Sequence, residues 1–91
     1  MAKKSYQLDK DYEVTASNDN LLPKRPAYIT AEEGEGFIRV TLAGKDPDVI
    51  GESTKRWFHQ GVERPIQVIK VWLTDTDALG IVGSYDSNAG V

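Results

Sequence analysis

His59 is the only imidazole available for acid–base chemistry in this chain, which also has no cysteine. Nucleophilic catalysis needs a serine, threonine or cysteine that is activated by a base and oriented by a third group. His59 lies between Trp57-Phe58 and Gln60-Gly61, and nothing next to it in sequence resembles a triad motif. The favoured interpretation is a surface or interface histidine, so we predict no catalytic residue and no enzyme.

The acidic residues offer a second kind of chemistry, metal binding. Asp75-Thr76-Asp77, followed by Gly80 and Asp86, imitates part of a calcium loop, in which acids at alternate positions supply oxygen ligands. Leu79 occupies a position where a ligand belongs, so a tight turn is favoured. One histidine without a thiol makes no structural zinc site. The sequence therefore predicts no metal site and no cofactor.

The amino-acid composition and net charge limit the kinds of partner that this chain can have. The chain has 91 residues, a formal net charge of −3, and 40% hydrophobic and 27% charged residues, which describes one globular domain. Phosphate binding is driven by lysine and arginine, so this balance argues against nucleic acid. No run approaches the roughly 18 apolar residues of a membrane helix, and no signal peptide is recognisable, so synthesis in the cytoplasm is expected. A domain of this size without disulfides is commonly stabilised by oligomerisation.

Short apolar runs separated by turn residues predict an all-β fold, a small antiparallel β-sandwich or barrel of about six short strands. The clearest strand is Phe37–Leu42, in which Ile38, Val40 and Leu42 share one face. The acidic, glycine-containing residues 32–36 predict a five-residue hairpin connection. The other predicted strands cover residues 12–16, 27–31, 55–59, 66–73 and 80–85.

The predicted organisation is an N-terminal arm at residues 1–11, a β-sandwich domain at residues 12–85 and a C-terminal tail at residues 86–91. The arm and the tail carry few side chains to bury, so we expect partners to hold them. The run Ile66–Leu73 is apolar on both faces. One face can pack the core, whereas the other needs a second cover, for which a neighbouring subunit is a plausible source.

Aromatic side chains dominate the candidate contacts, because each buries on the order of 150–250 Å². Trp72 is assigned to the core, and one of Trp57 and Phe58 is expected to face a partner. A carbohydrate-binding module, with Trp57, Tyr85 or Trp72 as the stacking surface, is an alternative. The predicted interface residues are Trp57, Phe58, Ile69, Val71 and Leu73, with Tyr6 and Leu8 in the arm.

A series of residues over about 12–85 follows a recognisable order. It begins with Val14-Thr15, Asp19, Leu22-Pro23, Arg25, Ala27-Tyr28-Ile29, Gly36, Ile38, Val40-Thr41 and Gly44. It continues with Gly61, Pro65-Ile66, Val68, Lys70-Val71, Thr74, Thr76, Ala78, Gly80-Ile81-Val82 and Tyr85. This order of residues resembles the small spike-base proteins of tailed-phage heads and of gene transfer agents, which are phage-like particles.

This resemblance implies a virion structural protein, without catalysis, that forms a homo-oligomeric ring, a trimer or pentamer, at a capsid vertex. Its expected partners are further copies of itself, the major capsid protein and a spike or fibre protein, and its expected location is the capsid surface. A capsid cement or decoration protein that bridges major-capsid subunits remains an alternative.

Overall fold

The computed structural model describes residues 10–26 and 28–85, and in them the all-β sandwich is confirmed. This part of the chain contains seven short strands, one more than the sequence predicts, and one 3₁₀ turn at Ile50–Glu52. The strands are β1 (Lys10–Glu13), β2 (Tyr28–Gly34), β3 (Gly36–Leu42), β4 (Thr54–Phe58), β5 (Arg64–Pro65), β6 (Val68–Val71) and β7 (Leu79–Tyr85).

Two sheets pack against each other. One sheet has four strands in the order β1-β7-β2-β5, and the other has three in the order β4-β3-β6. All neighbouring strands pair in antiparallel fashion. The core between the sheets is built from the buried side chains of Ile29, Ala31, Ile38, Val40, Phe58, Val68, Val71, Ala78 and Ile81.

Strand β3 follows the alternation that its sequence predicts. Ile38 and Val40 are fully buried and face the core, as expected from a period of two residues. Thr41 is buried as well, although it lies on the opposite face. The register between β3 and β6 shifts between Thr41 and Leu42, and beyond this irregularity Leu42 is only half-buried.

The predicted hairpin at residues 32–36 is wrong. Residues 32–34 belong to β2, and Glu35 alone separates β2 from β3. A two-residue loop is the shortest common hairpin connection, so one residue cannot fold the chain back beside β2. The chain instead passes from the four-stranded sheet into the three-stranded sheet at this point.

The predicted strand at residues 66–73 is also corrected. Only Val68–Val71 forms β6; the backbone N–H of Trp72 adds one more bond to β3, at the carbonyl of Arg39, and the chain then bends at Leu73. Elsewhere, β1 begins and ends earlier than the predicted strand at residues 12–16, and β7 begins at Leu79, one residue before its prediction.

Residues 14–26, which we call the strap, run from β1 along the outer edge of β6. The N–H of Ser17 donates to the carbonyl of Val71 at 2.9 Å, and the N–H of Leu22 donates to that of Ile69 at 2.9 Å. The strap therefore occupies the edge of the three-stranded sheet on the β6 side, and it places β1 and β6 on the same flank of the sandwich.

Candidate interaction surface

Phe37 and Trp57 form an exposed pair of aromatic rings on the outer face of the three-stranded sheet. They are directly opposite each other in the β3–β4 register, with ring centroids 5.0 Å apart and planes at 80°, an edge-to-face arrangement. Their exposed fractions are 37% and 38%. They point away from the core because they alternate with Ile38 and Phe58, which point into it.

Two cationic side chains lie near these rings, one against Phe37 and one against the backbone of Trp57. The Nζ of Lys55 lies 4.8 Å from the centroid of Phe37, which is within the range of a cation–π contact. The guanidinium of Arg64 donates from Nη1 to the carbonyl of Trp57 at 2.6 Å and lies 4.9 Å from the Phe58 centroid. We call Phe37, Trp57 and Lys55 the aromatic patch. Rings combined with cations suit a partner that offers apolar and carboxylate side chains.

The backbone of Phe37 is held by the loop before β7. Its N–H donates to Oδ1 of Asp77 at 2.7 Å, and the N–H of Asp77 donates back to the carbonyl of Phe37 at 2.9 Å. Gly36 permits this approach, since a Cβ there would lie 2.4 Å from Asp77 Oδ1 and 2.9 Å from the backbone nitrogen of Ala78. The aromatic patch is therefore presented on a fixed backbone.

The acids of the calcium-like segment form bonds within this loop and with β3. Asp75 Oδ2 accepts from Arg39 Nε at 3.1 Å and pairs with Arg39 Nη2 at 3.0 Å. Asp75 has φ 64°, in the left-handed region, within the turn at residues 73–75. A tight turn is therefore present at the start of the segment, whereas Gly80 belongs to β7 and Asp86 lies outside the described residues. Within residues 10–26 and 28–85, no group of three histidine, cysteine, aspartate or glutamate side chains could hold a metal ion.

His59 lies at the margin of the aromatic patch. Its Nδ1 accepts from the indole Nε1 of Trp57 at 3.4 Å, and the two rings are 6.2 Å apart. The partner of His59 is thus the indole of Trp57, which orients the imidazole. An indole is not a nucleophile that His59 could activate.

The outward face of β6 is covered by other parts of the same chain, which contact Lys70. The side chain is 2% exposed, and its Nζ donates to the carbonyls of Asn18 at 2.7 Å and Pro47 at 2.8 Å. The same Nζ lies 3.7 Å from the ring centroid of Trp72. The cover that the sequence led us to expect from a neighbouring subunit is supplied here by the loops at Asn18 and Pro47.

Trp72 is buried, as predicted, but it packs on the outer face of the three-stranded sheet beside Lys70 rather than in the core between the sheets. Its Nε1 donates to Oγ1 of Thr41 at 2.8 Å. A buried indole cannot stack on a sugar, so the alternative stacking surface is left with Trp57 and Tyr85. These two lie on β4 and β7, in different sheets, and Tyr85 packs edge-to-face against Tyr12 at 5.9 Å. They do not form one platform.

The predicted interface residues fall into three groups. Trp57 and Leu73 are exposed, at 38% and 62%, and Ile69 is half-buried. Phe58 and Val71 are core side chains with 0% and 1% exposure, so in this fold they have no surface to offer a partner. Tyr6 and Leu8, with the rest of residues 1–9 and the tail 86–91, lie outside the described residues.

Phe37 and Lys55 are the surface residues that sequence reasoning missed. Both were placed in predicted strands; Phe37 precedes the core position Ile38, and Lys55 lies two residues before Trp57, so the period-two pattern could have assigned Phe37 to the outer face and Lys55 to the face of Trp57. What the pattern lacked was the pairing of β3 with β4, which brings Phe37 beside Trp57.

Comparison with known proteins supports the fold. No protein-family model matches this chain, and no curated protein matches it. The structure is similar to a chain solved in the capsid of a native GTA particle computed with C5 symmetry, with a TM-score of 0.70 and 22% sequence identity. The similarity covers 85% of this chain and 82% of that chain, so the two share a fold over most of their lengths.

The described residues include no helix long and apolar enough to cross a membrane.

Proposed function

We propose that this chain is a non-enzymatic structural protein of a phage or gene-transfer-agent capsid, where copies of it form a ring at a vertex and support a spike or fibre. The observation that carries the proposal is the fold shared with a chain of a native GTA capsid over most of both chains. The order of residues over 12–85, which resembles spike-base proteins, supports the same conclusion independently of the fold.

The surface of the chain supports an assembly role. Several large apolar side chains are exposed on a domain of 91 residues, and aromatic residues are enriched at the energetic centres of protein interfaces. Among residues 10–26 and 28–85, the exposed large apolar side chains are those of Leu21, Phe37, Val49, Ile50, Trp57, Val62, Leu73 and Leu79. An assembled particle would stabilise each subunit by mass action, and repetition around a symmetry axis would turn weak contacts into lasting attachment.

The proposed partners are further copies of this chain, the major capsid protein, and a spike or fibre protein. The particle of the similar chain was computed with C5 symmetry, which makes a pentamer the arrangement to test before a trimer. The proposed location is the outer surface of the capsid.

The test is to purify the particles made by cells that encode this chain and to image them at a resolution that traces individual subunits. We expect the chain in the purified particles, as a closed ring at vertices beneath a spike or fibre. Copies spread over the junctions between major-capsid subunits would instead support the cement alternative. Particles that assemble with no copy of this chain would overturn the capsid proposal altogether.

A further inference from the structure

The outer edge of β4 is unpaired among the described residues. Phe37 and Arg39 direct their carbonyls toward the β6 side, where the N–H groups of Asp77 and Trp72 bond to them. The alternate residues of β3 therefore bond to β4, and Lys55 and Trp57 point their own backbone groups outward. Arg64 bonds to the carbonyl of Trp57. No strand within residues 10–26 and 28–85 pairs with this edge.

The outer edge of β1 also has no strand partner among the described residues. The N–H of Val14 donates to the carbonyl of Ile81, so Val14 and Tyr12 direct their backbone groups toward β7. By alternation, Asp11 and Glu13 direct theirs outward. Both residues are exposed, and no described strand other than β7 pairs with β1.

These two edges lie on opposite flanks of the sandwich and carry opposite charges. The strap ties the β1 flank to β6, whereas Arg64 of β5 ties β4 to the other flank. The β1 edge presents Asp11 and Glu13, and the β4 edge presents Lys55 and Arg56. Like charges placed directly opposite each other destabilise a strand pair, so β1 is discouraged from pairing with β1 and β4 from pairing with β4.

We propose that β1 of one copy pairs in antiparallel register with β4 of the next copy, with Glu13 opposite Lys55 and Asp11 opposite Trp57. The four-stranded sheet of one copy thereby continues into the three-stranded sheet of its neighbour. This inference rests on the proposed function and deepens it by naming the occupant of the β4 edge as a second copy of this chain.

The register satisfies the side chains as well as the backbone. Glu13 shares a face with Val82, opposite the core residue Ile81, and Lys55 shares a face with Phe37, opposite the core residue Ile38. Their faces therefore become one continuous outer face, on which a carboxylate meets an ammonium beside the aromatic patch.

Such a contact joins two different surfaces of the same chain. A contact of this kind is heterologous: it repeats from copy to copy, and it closes into a ring where the rotation between copies completes a full turn and extends into a filament where it does not. The proposed contact is therefore of the kind that the ring of the proposed function requires.

The test is zero-length carbodiimide cross-linking of the full chain over a range of protein concentrations, followed by mass spectrometry. We expect an amide bond between Lys55 and Glu13 or Asp11, found in species of dimer mass or larger and increasing with concentration. Because the two edges lie on opposite flanks, this bond reports a contact between two copies. A chain that stays monomeric throughout, or Lys55 links scattered over many acids, would overturn the proposal.

Charge reversal tests the pairing itself. Lys55→Glu and Glu13→Lys should each weaken self-association about tenfold or more, because an attractive pair becomes a repulsive one. An equimolar mixture of the two variants should regain association, since an altered edge of one variant then meets a complementary edge of the other; in a ring of five copies, one contact still joins two copies of the same variant. Sedimentation velocity measures all three samples, and unchanged thermal unfolding shows that the variants fold.

Matched controls reverse charge elsewhere. Lys45→Glu and Asp19→Lys change the net charge by the same amounts in exposed turns, and both should associate like the original chain. Equal weakening by these controls would attribute the effect to net charge and overturn the proposal. If Lys55→Glu alone weakens association and the mixture regains none, the β4 edge binds something other than β1 of a second copy.

The outcome is separable from the proposed function. If the Lys55–Glu13 link is missing while the chain is present in purified particles, the strand pairing fails and the capsid role stands. If the linked ring forms but purified particles contain none of it, the capsid role fails and the strand pairing stands.

Discussion

The two edge strands of the three-stranded sheet, β6 and β4, differ in whether other parts of the chain cover them. The outer edge of β6 bonds to the strap, and its second face is closed over Lys70 by the loops at Asn18 and Pro47. The outer edge of β4 has no strand partner among the described residues, and its outer face presents Lys55 and Trp57. The more apolar strand is the one that the chain completes, and the more polar strand is the one left available.

The comparison teaches that the apolar content of a strand does not decide which edge meets a partner. The strap, which follows β1, is long enough to cross to β6 and supplies both backbone donors and the carbonyl of Asn18. No comparable segment within the described residues crosses β4. Whether an edge strand stays free for a partner therefore depends on the length and direction of the segments that connect the strands. The residue pattern of a single strand does not contain this information.

Lys70→Ala should produce the largest loss of stability, because Lys70 is buried where other parts of the chain cover β6. The substitution leaves a cavity beside Trp72 and removes the Nζ that donates to the carbonyls of Asn18 and Pro47. We expect the free energy of unfolding to fall by about 3 kcal/mol, measured by urea denaturation. Lys70→Met keeps the apolar stem and should lose about half as much. A Lys70→Ala protein as stable as the original would show that β6 is not closed in this way.

Asn18→Ala tests the strap with a smaller expected effect. The side-chain Oδ1 of Asn18 accepts from the N–H groups of Leu73 and Thr74, at 3.0 and 3.1 Å, and its Nδ2 donates to Thr74 Oγ1. Since these bonds are exposed, we expect a loss of about 1–2 kcal/mol. The control is Asp19→Ala, for which about 0.5 kcal/mol or less is expected. Equal losses in the two variants would contradict a specific role for Asn18.

Tyr12→Phe probes the attachment of the strap to β1, where the Tyr12 hydroxyl donates to the carbonyl of Lys24 at 2.5 Å. The loss of this bond should cost about 1 kcal/mol near neutral pH. Burial, with a smaller contribution from Tyr85, raises the pKa of Tyr12 to about 12 from its ordinary 10.0.

The raised pKa gives this variant a second signature. Between pH 10 and about 12 the folded chain holds the Tyr12 proton that the unfolded chain releases, so stability falls as pH rises through that window. Solvent screening at a half-buried ring keeps the effect to about 1 kcal/mol or less. Tyr12→Phe should lose stability less steeply than the original chain over this window, as measured by thermal unfolding at each pH. Parallel profiles would contradict the assignment.

Trp57→Ala should have the smallest effect on stability and a clear effect on assembly, which is the reverse of Lys70→Ala. Trp57 is partly exposed, and its main loss is the edge-to-face contact with Phe37, worth about 0.5–1 kcal/mol. Self-association measured by sedimentation should weaken because the removed ring lies at the proposed β4 contact. A variant that unfolds readily yet associates normally would reverse the roles that we assign to the two edges.

The sequence predicted what depends on local alternation. The faces of β3 were predictable because Ile38 and Val40 alternate with polar neighbours, and the tight turn around Asp75 followed from its composition. The division of Trp57 and Phe58 into one exposed and one buried ring follows from the same period of two, although which ring is which depends on the pairing with β3.

What the sequence could not predict depends on which sheet each strand joins. Residues 32–36 have the composition of a hairpin turn, yet β2 and β3 enter different sheets. Lys70 interrupts an apolar run and would ordinarily reach water, but two distant carbonyls meet its Nζ inside the fold. Neither outcome is encoded in the pattern of its own segment.

Residue-resolved amide hydrogen exchange, measured in dilute and in assembled protein, tests the central claim most directly. The N–H groups of Lys55 and Trp57 point outward from β4, whereas that of Arg56 points toward β3. We predict that Lys55 and Trp57 exchange rapidly in the dilute chain and become protected on assembly, together with Asp11 and Glu13, while Arg56 is protected in both. Protection of Lys55 and Trp57 in the dilute monomer, or rapid exchange there after assembly, would contradict the assignment of β4 as the open edge.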